Sequence, residues 1–168
     1  MRSIAAAAMA LVGITTAGHV ARDVSAEFRL HVVNSDETGI YGWAVVNAHV
    51  AAATNVLQIQ RPTAYQSDIS YLNGTELIFD LPGASFPYSL RIPDVEDGTV
   101  GLVTSQIGDG TPGFSLDVNN YLVFNGQTTG WYACPVDGNF ELYYGANAVD
   151  ANLPSTECEC FEFVAGFI

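Results

Sequence analysis

The segment GFSLDVNNYLVFNG (113–126), followed by GWYACP (130–135) and STEC (155–158), decides how this chain reads. Apolar and polar residues alternate on both sides of Asn119-Asn120, and asparagine tolerates the left-handed turn region better than most residues. That is a strand, a tight turn and a second strand, with Cys134 placed at the end of a third. A similar hairpin, ISYLNGTELIFD (69–80), turns at Asn73-Gly74. This pair suits a type I′ turn, whose two central residues both take positive φ.

The same grammar extends outward from Glu27: short alternating runs are punctuated by Gly, Asn, Asp and Pro. Strands are predicted over 27–33, 40–46, 56–60, 69–73, 75–81 and 88–92. Further strands are predicted over 99–104, 113–118, 121–125, 130–134, 139–144 and 160–167. Only 47–54, rich in alanine, has a helical flavour. With 16 glycines and seven prolines, long helices are disfavoured. The two hairpins share a frame, with Ser70, Leu77, Phe79 and Asp80 matching Ser115, Leu122, Phe124 and Asn125 at an offset of 45 residues. A third copy, through Ser25, Val32 and Asn34, is weak. The fold expected is all-β, a compact antiparallel barrel or trefoil-like domain, with a β-sandwich as the alternative.

The N-terminus carries an address. Met1-Arg2 precedes an apolar run, Ile4 to Ile14, followed by the small residues Thr15-Thr16-Ala17-Gly18. This is the order of a secretory signal peptide, and the run is shorter than the ~20 apolar residues of a membrane span. The expected organisation is a leader over 1–18, with cleavage between 17 and 26, and a single all-β domain over 19–168. The tail CFEFVAGFI is too short and too broken for a lipid-anchor signal. The chain has no lysine, and once Arg2 leaves with the leader four arginines stand against 18 acidic residues. Such a surface repels DNA, RNA and anionic membranes. The acids are scattered rather than blocked, which suits solubility.

The order of features resembles the phialide-type (PhiA) family of small secreted ascomycete cell wall proteins. The resemblance is carried by 113–126, by ACP at 133–135, by EC at 157–158 and by YLNGTELIFD (71–80), and extends faintly over DGTVGLVT (97–104) and EFRLHVVNS (27–35). It implies secretion, association with the fungal cell wall, a link to asexual sporulation or surface structure, and no catalytic mechanism or cofactor. The sequence departs from the family's pattern in adding Cys160, in lacking extra cysteines found in some members, and in carrying SLRIPDVEDGTVG (89–101) in place of a glycine-rich segment. The resemblance also implies a Cys134–Cys158 disulfide. Cys134–Cys160 stays open as the alternative, since 158 and 160 share a strand face. The cysteine outside the bridge is then buried and inert, or available for an intermolecular bridge.

Candidate sites are few. Asn73-Gly74-Thr75 is an N-glycosylation sequon at an expected turn. No CxxC pair suggests zinc. Asp94, Glu96 and Asp97 cluster in one loop and Asp117 heads a hairpin, but they lack the spacing of an EF-hand. A serine triad would have to use His31 or His49, and no G-x-S-x-G elbow is present. Trp43, Tyr121, Trp131, Tyr132, Tyr143 and Tyr144 offer aromatic rings with polar rims that suit sugars, and the first four form the candidate ligand surface. Trp131 and Tyr132 must face opposite sides of one strand, so one of them should be buried. The function expected is a secreted, non-enzymatic cell wall-associated protein whose partners are wall polysaccharide or wall proteins. A carbohydrate-binding module is the first alternative, and a small secreted hydrolase or effector the second.

Overall fold

A computed structural model of the chain describes residues 24–35, 39–62 and 67–168. The leader over 1–18 and the earlier cleavage positions lie outside the described residues. Thirteen strands follow one another: β1 (Phe28–Val33), β2 (Ala44–Ala51), β3 (Thr54–Gln60), β4 (Ile69–Asn73), β5 (Glu76–Asp80), β6 (Tyr88–Arg91), β7 (Gly101–Leu102), β8 (Thr104–Ile107), β9 (Phe114–Leu116), β10 (Leu122–Phe124), β11 (Trp131–Val136), β12 (Asn139–Tyr144) and β13 (Glu159–Phe167). One 3-10 turn, Asp150–Asn152, precedes β13.

Nine strands close an antiparallel barrel in the order β3-β8-β6-β5-β4-β1-β13-β11-β12 and back to β3. Closure removes the open edges that a flat sheet would present for aggregation. β2 lies along β3 and reaches β1, while β7 pairs with Tyr143 and Tyr144 of β12, beyond the stretch of β12 that pairs with β3. The fold is the barrel of the expected pair of architectures. The alternation read from the sequence sets what faces inward. Phe28, Leu30 and Val32 of β1 are buried, and their partners across the ladder include Ala165 and Phe163 of β13, also buried.

Three sequence expectations change. The alanine-rich 47–54 segment continues β2 and turns at Ala52-Ala53 into β3. Eight residues are too few to nucleate a helix, and the ladder to β3 outweighs alanine's propensity. The 99–104 strand splits into β7 and β8 around Val103. There the chain changes partner: Val103 donates its N–H to Leu142 O at 2.9 Å, and Leu57 N–H donates to Val103 O at 3.3 Å. The 45-residue repeat does not build equivalent units either. β4–β5 forms barrel wall, whereas β9–β10 makes a separate two-stranded ribbon.

The turns of these hairpins also differ. Asn73 pairs with Glu76, so Gly74-Thr75 are the central residues, and positive φ falls on Gly74 (62°) alone of the two. Glycine first is the signature of a II′ rather than a I′ turn. In the other hairpin Asn120 takes φ 67°, and Asp117 Oδ1 accepts the N–H groups of Asn119 and Tyr121, each at 2.8 Å. A carboxylate thus ties the loop head together, and the hairpin needs a longer loop than a two-residue turn.

The ribbon is held to the barrel by rings. Phe114 and Phe124 sit 4.7 Å apart by centroid, Phe124 meets Tyr144 edge-on at 5.1 Å, and Phe114 stacks on Trp131 at 6.5 Å. Trp131 in turn contacts Tyr144 and Phe163. These separations are those at which aromatic pairs add stability beyond area burial.

Candidate functional site

The seam between β11 and β13 fixes the cysteine chemistry. Trp131 pairs with Phe161, Tyr132 with Cys160 and Ala133 with Glu159. One step further along this register, Cys134 faces Cys158, and the two form a disulfide with Cα atoms 4.1 Å apart. A directly opposed pair is close enough to bridge, whereas the diagonal Cys134–Cys160 pair would span ~7–8 Å. Register therefore selects the pairing that spacing alone left open. Cys160 is half-buried and lies outside that bridge.

The four aromatic residues singled out in the sequence do not gather into one platform. Trp131 is 0% exposed and belongs to the core, so it offers no ligand surface; its strand neighbour Tyr132 takes the outward side. Trp43 is half-buried, with its ring against Phe140 at 5.8 Å and the Arg61 guanidinium 5.7 Å from its centroid. Tyr132 and Phe140 both line a hollow of about 580 Å3 beside the disulfide, so Phe140 links Trp43 to Tyr132. Burial, Cys160 and Asp150 raise the Tyr132 phenol pKa, in that order. Tyr121 stands apart, in a bridge to Val164 of β13.

His49 and the serines form a different arrangement from a triad. His49 Nδ1 lies 3.2 Å from Asn55 Oδ1, Asn55 Nδ2 donates to Ser105 Oγ at 3.3 Å, and Ser105 Oγ donates to Asn47 Oδ1. Asn47 then donates its backbone N–H and its Nδ2 to Asp68 Oδ2, at 2.6 and 2.9 Å. An asparagine stands where a triad would need the histidine, and Ser105 is 0% exposed. The string satisfies polar groups on the inner face of β2, β3 and β8. Burial raises the Asp68 pKa, outweighing the lowering by its two bonds from Asn47 and by the Arg29 charge. His31 lies on β1 opposite Val164.

A cleft of about 460 Å3 opens where the 92–99 loop meets the ribbon and the end of β12. Its floor is aromatic, from Phe124 and Tyr144, and its rim carries Asp94, Glu96, Asn125 and Gln127. The acidic loop is fixed from several sides. Thr99 donates N–H and Oγ1 to Glu96 O, Asn147 Nδ2 donates to Asp97 Oδ1 at 3.0 Å, and Ile92 N–H donates to Thr111 Oγ1 at 2.9 Å. A second strap holds Gly98, whose carbonyl accepts from Val149 N–H and Asn152 Nδ2. Gly145 has to be small here, because a Cβ would come within 2.1 Å of Thr99 O. Asn125 adopts φ 49°, and the Phe124 and Gln127 backbones exchange two hydrogen bonds, which tightens the turn at the rim.

The sequence marked the acids of this cleft and offered Tyr144 among its aromatic candidates, but it did not mark Phe124. Phe124 is distant from Tyr144 in the chain and looks like an ordinary core position. The available clue was the crowding of Gly, Asn and Asp at 94–98, 125–127 and 145–147. Among the described residues no group of three or more His, Cys, Asp or Glu is placed to hold a metal ion.

Residues 25–167 match the family described as "Domain of unknown function (DUF7907)". The chain belongs to this family. The match spans β1 to β13, so barrel, ribbon and cleft all lie inside the DUF7907 region. No curated protein and no solved structure matches the chain significantly.

Proposed function

We propose that this chain is a secreted, non-enzymatic wall-associated protein that binds carbohydrate in the cleft between the 92–99 loop and the ribbon. The observation carrying this reading is the pairing of an aromatic floor, Phe124 and Tyr144, with a rim of open carboxylates and carboxamides. Sugars present alternating C–H faces and hydroxyl edges. A ring receives the first, and acceptor oxygens with amide donors receive the second. The cleft is held open by the loop's own hydrogen bonds, so little ordering is left for the ligand to impose.

Secretion and wall association rest on the leader-like N-terminus and on the resemblance to phialide-type proteins. The net charge of −13 disfavours nucleic acid and anionic lipid as ligands. Binding rather than turnover is favoured because Asp68, whose pKa burial raises, faces Asn47 and Arg29 and does not line the cleft. A glycosidase needs two carboxyl groups across one bond, with one kept protonated.

The test is depletion of the purified protein from solution by insoluble β-glucan and by chitin, beside Asn125→Ala and Gln127→Ala. Saturable binding weakened about tenfold in either variant is the expected result. Equal recovery of protein from both supernatants at all loads would overturn the reading.

A further inference from the structure

A groove of about 290 Å3 runs along the outer face of β4 and β5, away from the cleft. Ser70 and Leu72 of β4 point into the barrel and are buried, so Tyr71 and Asn73 share the outer face. Both line the groove, together with Ile78 in its floor and Phe86, Pro87 and Ile107 opposite. Ile78 is buried, but Phe86 is 62% and Ile107 43% exposed. A large aromatic side chain left this open beside a second aromatic and a buried isoleucine is an apolar surface awaiting a cover.

We propose that this groove is the seat of an N-linked glycan carried by Asn73, whose first N-acetylglucosamine packs on Tyr71 and Phe86. Asn73-Gly74-Thr75 is a sequon. Thr75 is exposed in the turn, and Gly74 takes the positive φ that turns the chain there. Among the described residues no hydrogen bond holds the Asn73 side chain, so its Nδ2 is available. In the transfer, Nδ2 bonds to C1 of the first sugar of a lipid-pyrophosphate-linked oligosaccharide. The C1–O bond to the pyrophosphate breaks, the lipid pyrophosphate leaves with the electron pair, and one amide proton passes to a base of the transferase.

The tethered sugar fits this groove better than a free one. A single sugar stacked on an exposed ring binds weakly, but covalent attachment two residues from Tyr71 on the same face raises its local concentration to the millimolar range or above. The carboxylates of Glu76 and Asp109, also in the lining, give the sugar hydroxyls acceptors. The sugar thus covers the apolar groove on the β4–β5 hairpin once the chain has folded.

The proposal rests on passage through a secretory pathway, and the experiment removes that dependence by using a host leader. The chain is secreted from a glycosylating yeast, trimmed to one N-acetylglucosamine with an endoglycosidase, and compared with Thr75→Ala, which keeps Asn73 but destroys the sequon. Intact mass reads occupancy and calorimetry reads Tm. The expected result is one sugar on Asn73 and a Tm ~3 °C above that of Thr75→Ala, a gain that vanishes in Tyr71→Ser or Phe86→Ser backgrounds. Ring-current shifts of the sugar protons in the wild-type chain check the packing without relying on those variants. An empty Asn73, an occupied Asn73 with unchanged Tm, or sugar protons with unshifted resonances overturns the proposal.

Discussion

Removing the Cys134–Cys158 bridge tests how much of the barrel's closure is covalent. The perturbation is the Cys134→Ala/Cys158→Ala double variant in a Cys160→Ser background, so that no thiol can re-pair. Alanine is chosen because Cys134 is fully buried and a serine hydroxyl there would lack a partner. The bridge joins positions separated by 24 residues. Loop-closure entropy for that length gives roughly 3.5 kcal/mol of stabilisation at 25 °C. At this chain length that corresponds to a Tm lower by ~10 °C. Urea unfolding followed by tryptophan fluorescence is a direct assay, because Trp131 sits on β11 next to the seam. The variant's midpoint should fall while its slope stays close to that of the parent, or rises slightly as the unlinked denatured chain expands. A loss below about 1 kcal/mol would refute the reasoning. It would mean that the β11–β13 ladder already restricts the unfolded chain, or holds the seam without help.

Other consequences are accessible to single variants. Cys158→Ala should leave Cys134 and Cys160 unlinked to each other, because they lie diagonally across the register; a Cys134–Cys160 peptide in non-reducing mapping would contradict the register. Asp68 has its pKa raised mainly by burial, so the folded state holds its proton more tightly than the unfolded chain. Its contribution to stability is then fully present at low pH and is lost as pH rises through the folded value, so the stability difference between wild type and Asp68→Asn should shift in favour of the variant as pH rises above the ordinary aspartate range and through the raised folded one; a flat difference in pH-dependent urea melts would sink this account. Gly145→Ala drives a Cβ into Thr99 O and should cost about 1–3 kcal/mol while deforming the cleft, read together by melts and by polysaccharide depletion. Trp131→Ala should cost about 3–5 kcal/mol and Trp43→Ala distinctly less, since one ring is enclosed and the other half-buried; equal losses in urea would argue against that contrast.

Strand positions were readable where one face met the core and the other met water. Residues 69–73 and 139–144 were predicted with the bounds the structure gives, because Ser70 and Leu72 alternate with outward neighbours and Asn139 follows an Asp-Gly turn. Legibility failed where a segment's conformation is set by a distant partner. Ala48 to Ala51 become strand because β3 lies alongside, and Val103 breaks a strand because it must bond Leu142 and then Leu57. The disulfide could be named through resemblance, yet only the 131↔161 register explains why Cys158 and not Cys160 takes part. The cleft was legible in its charges and in Tyr144 taken singly. Its floor joins Phe124 of the ribbon to Tyr144 of the barrel, a meeting that no local pattern announces.

The place of β13 in the ring bears on how the protein folds. β1 is the first of the described strands, and its long ladder, from Phe28↔Phe167 to Val33↔Glu162, is with β13, the last of them. With β2 and β4 it shares a single residue pair each. The ring therefore cannot lock until two strands far apart in the chain have met, and such long-range pairing is slow. Until that pairing is made, β13 has no fixed place beside β11, and Cys134 and Cys158 are not held face to face.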